Sequence, residues 1–96
     1  MTRKDCINIL IKSAPAFAKK VAPIYKLLHW TWAETNGNRV PTESKILATL
    51  VRIITELDLK KHNWEISTGG LLVGFTQLSK DCYQPIMKFE LEYLGD

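Results

Sequence analysis

The first third of the chain carries hydrophobic residues at helical spacing. Ile7, Leu10, Ala14, Phe17, Val21, Ile24 and Leu28 follow alternating steps of three and four, which places all seven on one stripe. Lys12, Lys19 and Lys26 recur every seven residues on the opposite side, and Asp5 extends that row back into the first turn. A carboxylate there suits the helix dipole, and Thr2 with Asp5 has the spacing of a capping box. Pro15 and Pro23 interrupt the segment, each removing a backbone donor. The stripe keeps its phase across both. Two readings follow: one kinked helix, or two helices over 3–13 and 14–29. Ser13 can cap a second helix, so the break is expected at Pro15.

Residues 30–41 read as a connector, with Asn36-Gly37-Asn38 as its turn signal and Val40 extended before Pro41. A second helix is predicted next. Thr42 caps it, Glu43 lies in its first turn, and Ile46, Leu47, Leu50, Ile53, Ile54 and Leu57 form a wide apolar face. Lys60, Lys61 and His62 are expected in its last turn, with Asn63 closing it. The period then changes from 3.6 to 2. Trp64 to Thr68 alternates, Gly69-Gly70 signals a two-residue hairpin, and Leu71, Val73 and Phe75 share one face of the returning strand. Ser79 to Pro85 reads as a polar loop. In the last strand Met87, Phe89, Leu91 and Tyr93 alternate with Lys88, Glu90 and Glu92. Residues 1–96 thus predict a single α+β domain. Two or three N-terminal helices pack on a C-terminal three-stranded antiparallel meander, because neither layer can bury its apolar face alone.

Composition supports one globular domain: 96 residues, 46% hydrophobic and 24% charged. That mixture is too apolar for a chain disordered throughout. The net charge of +3 is unevenly distributed. Residues 1–48 hold eight basic and three acidic groups, while residues 49–96 hold five basic and seven acidic. The first half therefore suits a polyanion or an acidic protein patch. Lys12, Lys19, Lys20 and Lys26 are its candidate basic surface. Cys6 and Cys82, in no metal-ligand spacing, read as two free thiols of a cytoplasmic protein. The uncharged run from Ile66 to Ser79 is too short to span a bilayer.

Catalytic motifs do not emerge. Two histidines without HExxH or CxxC spacing do not make a metal site, and no GxSxG is present. The expectation is a non-enzymatic protein with no cofactor. Two features suit ligand or partner contact. Trp30 and Trp32 project in different directions in either a strand or a helix, so one tends to the surface, with Arg39 in the same connector. Thr68, Gly69 and Gly70 form a turn that can present backbone amides to a phosphate, although no Lys accompanies the glycines.

The strings VPTESKILATLVRIITEL and ISTGGLLVGF, within residues Val40 to Phe75, resemble a pattern in small bacteriophage-encoded proteins of unassigned activity. The resemblance implies an accessory factor acting on a host protein or on a small nucleotide signal of a defence system. Alternatives from the residues themselves are a nucleic-acid-associated module using the basic N-terminal helix, and a structural homo-oligomer. For the last, the final strand is an expected seam, with Lys88 facing Glu90 or Glu92 of a second copy.

Overall fold

A computed structural model describes residues 1–28, 42–60, 64–68 and 71–89. Two helices, α1 (Arg3–Leu28) and α2 (Glu43–Leu59), precede three strands: β1 (Trp64–Thr68), β2 (Leu71–Ser79) and β3 (Cys82–Phe89). The strands form one antiparallel sheet in the order β1-β2-β3, so the α+β meander is observed, with two helices.

α1 begins at the expected capping box. Asp5 N–H donates to Thr2 Oγ1 at 3.2 Å, and Thr2 N–H donates back to Asp5 Oδ2 at 3.3 Å. The helix then continues through both prolines, which corrects the expected break at Pro15. Each proline frees the carbonyl four residues earlier, at Ile11 and Lys19. Both prolines and both of those residues are exposed, so water can satisfy the freed carbonyls. The buried side keeps its ladder and fixes the helix against the core.

α2 is capped by Thr42, whose hydroxyl accepts from Lys45 N–H at 3.3 Å. It ends at Leu59, earlier than the basic cluster predicted. Its last turn contains no basic residue; Lys60 is already extended and its ammonium pairs with Glu56 at 3.1 Å. Lys61, His62 and Asn63 lie outside the described residues.

The paired residues Thr68 and Leu71 leave two positions between β1 and β2, as the Gly-Gly signal requires. The predicted loop from Ser79 to Pro85 is overturned. β2 runs to Ser79, a turn at Lys80-Asp81 reverses the chain, and β3 starts at Cys82. Gln77 Nε2 closes the turn on the Lys80 carbonyl at 3.0 Å. A register irregularity between Gln77 and Ser79 absorbs the reversal. Pro85, opposite Phe75, is tolerated because β3 is an edge strand. The segment 90–93 of the predicted last strand lies outside the described residues.

The core lies between the helices and one sheet face. Cys6, Leu10, Ala14, Ala18 and Val21 of α1 meet Ile46, Leu50, Ile53, Ile54 and Leu57 of α2 over Leu71, Val73 and Phe75. Phe17, Ile66, Tyr83, Met87 and Phe89 pack half-buried around this cluster. Every fully buried side chain among the described residues is apolar or a thiol, so the core rests on apolar burial.

Candidate functional site

α1 holds one carboxylate, Asp5, against Arg3 and five lysines. The packing of its stripe sends these charges to different places. On a helical projection Lys4, Lys12 and Lys19 fall within about 80° of one another, on the side away from the core. All three are exposed. Exposed Pro15 lies within the same face, and Ile11, 51% exposed, sits at its margin. Lys20 lies about 100° further round, also exposed. It stands at a groove of about 390 Å³ between α1 and β3, which Ile9, Ser13, Ala16, Phe17, Pro85 and Met87 also line. Lys26 belongs to α1, but its side chain is outside what the structure describes.

Arg3 does something different from the lysines. A cation in the first turn opposes its own helix dipole. Here it serves the other helix: Nη2 donates to the carbonyls of Leu57 and, at 3.2 Å, Asp58, at the C-terminal end of α2. The guanidinium carbon lies 5.3 Å from the centre of the Phe75 ring, and Nε is buried with no hydrogen-bond partner. One side chain thus joins α1, the negative end of α2 and β2. No sequence motif marks Arg3. Its unfavourable position in a first turn was the available signal.

The thiols also meet a structured corner. Met1 runs beside the start of β3: its carbonyl accepts Tyr83 N–H at 2.7 Å, and its nitrogen donates to Cys82 Sγ at 3.4 Å. Both cysteines are free, Cys6 buried and Cys82 half-buried. Burial pushes the Cys6 thiol above its ordinary range; Asp5 and Cys82 push the same way against the Met1 ammonium group. The raised value favours the neutral thiol in the folded state. Its contribution to stability is therefore full below the unfolded thiol's value and declines as pH rises past it. A thiol-reactive dye should label Cys82 first and Cys6 only after unfolding, for a total of two. Equal rates would mean Cys6 is not buried, and a total of zero would mean a disulfide.

Of the other sequence-predicted contacts, Trp30, Trp32, Arg39, Gly69 and Gly70 lie outside the described residues. Thr68 is the last residue of β1. The structure therefore brings together Lys12 and Lys19, adds Lys4 and Ile11 to their face, and sets Lys20 apart on the groove. No group of three His, Cys, Asp or Glu among the described residues can hold a metal ion. No helix among them is long and apolar enough to cross a membrane. No protein-family model, curated protein or solved structure matches this chain.

Proposed function

We propose that this chain is a small non-enzymatic binding protein that engages an acidic protein partner through the outward face of α1. The observation that carries the reading is exposed Lys4, Lys12 and Lys19 with half-exposed Ile11 at their margin. The ammonium groups attract carboxylates over a Debye length and speed encounter. Ile11 and Pro15 add apolar contact that a phosphate backbone does not use, whereas a protein surface with acids around an apolar residue uses both. The partner in this reading belongs to a host cell, and the chain is an accessory factor that binds or inhibits it. A small nucleotide is the second ligand class, its phosphates held by the same lysines.

The test is affinity capture from host lysate, with and without nuclease treatment, using the wild type and Lys12→Glu/Lys19→Glu. The proposal expects proteins retained by the wild type and lost by the variant. Equal capture by both would place binding elsewhere. Capture that disappears on nuclease treatment would assign the face to nucleic acid.

A further inference from the structure

Next to the lysine face, the side of α1 that borders the groove to β3 has a self-complementary charge pattern. Asp5, Ile9, Ser13, Ala16 and Lys20 fall on one side of α1, within about 80° on a helical projection. All five are exposed, Ile9 at 40%. Asp5 and Lys20 are equally far from the midpoint between Lys12 and Ser13, and so are Ile9 and Ala16. Two such helices packed antiparallel about a two-fold axis at that midpoint set Asp5 of each against Lys20 of the other. The same axis sets each Ile9 against the other's small Ala16. Small Ser13 beside the axis lets the helices approach closely. The acid and the base of each copy therefore find their opposites in a second copy, without any other molecule.

The edge of β3 is partly closed over residues 83–87, whereas Glu90 and Glu92 of the expected seam lie outside the described residues. Tyr83 N–H is already taken by the Met1 carbonyl. Residues 83, 85 and 87 alternate to the same side, and Pro85 has no N–H to give. The strand edge is blunted over these residues, while the helix beside it keeps apolar and charged positions open.

We infer that the α1 side of this groove is a homodimer surface, occupied by α1 of a second copy, with each Ile9 entering the other's groove. Sedimentation at tens of micromolar and low salt should give a species of twice the 11.0 kDa chain mass. Lys20→Asp, which puts two acids together, should weaken the dimer about tenfold. Asp5→Lys should weaken it as well, and the exchange Asp5→Lys/Lys20→Asp should recover most of the loss. Ile9→Glu should give monomers while circular dichroism still reports folded helices. This variant and Lys20→Asp leave the Thr2 capping contact of Asp5 intact, so loss of folding does not confuse the result. A wild-type monomer would overturn the inference. So would a dimer indifferent to Ile9→Glu, or a charge exchange no tighter than Lys20→Asp alone.

Discussion

Phe75→Ala is expected to lower the stability of this protein by about 3–5 kcal/mol, measured by urea denaturation. Phe75 is 2% exposed and sits in mid β2, opposite Pro85. Its ring meets Tyr83 edge-on, with centroids 5.4 Å apart and planes at 86°. The Arg3 guanidinium covers it at 5.3 Å. Truncation removes the apolar transfer energy, the aromatic pair and the surface against which a partly buried cation rests. Neighbouring Val73 and Leu71 are fixed by strand pairing on both sides, so the site has little freedom to collapse. Phe89, paired with Leu71 across the sheet, is only half-buried at the end of β3. Phe89→Ala should therefore cost less. A loss below about 1 kcal/mol at Phe75 would show that this sheet face is not the core.

Arg3→Ala is expected to cost about 2–3 kcal/mol. The sign decides between two accounts. If Arg3 acted only within α1, replacing it with alanine would help, because a first-turn cation opposes the dipole by about 0.3–1 kcal/mol and alanine is the better helix former. If it holds the end of α2, the loss of charge-assisted bonds to two carbonyls costs about 1.5–3 kcal/mol, and the Phe75 contact adds about 0.5–1. The second set is larger, so net destabilisation is predicted. Arg3→Lys should recover only part, since an ammonium group cannot span both carbonyls and lie flat over the ring. A neutral or stabilising Arg3→Ala would mean that α1 is not docked on the end of α2.

Elements with a strong period were legible in the sequence. The α1 stripe, the α2 face and the alternation in β2 each come from residues whose burial leaves only one phase available. Thr2, Asp5 and Thr42 were legible because capping is a local exchange of hydrogen bonds. Misreadings arose where context outside the segment decides. Pro15 reads as a break unless its freed carbonyl is known to face water. Pro85 and Cys82 read as loop because their membership of β3 depends on an edge position and a turn at Lys80-Asp81. The end of α2 looked basic from composition, yet its carbonyls are met by Arg3, 54 residues earlier. The candidate site was half legible. The lysine row followed from its spacing, whereas the separation of Lys20 from Lys12 and Lys19 required the position of β3 beside α1. The blunted β3 edge could not be read either, because it depends on where Met1 lies.

The central functional claim is that binding runs through the outward face of α1. It is tested most directly by mapping backbone amide shifts as the labelled protein is titrated with a short peptide of mixed glutamate and leucine. The account predicts shifts concentrated at Lys4, Ile11, Lys12 and Lys19, with the amides of Leu50, Val73 and Phe75 unmoved. Shifts confined to Trp30, Trp32, Arg39, Gly69 and Gly70, with α1 silent, would contradict it.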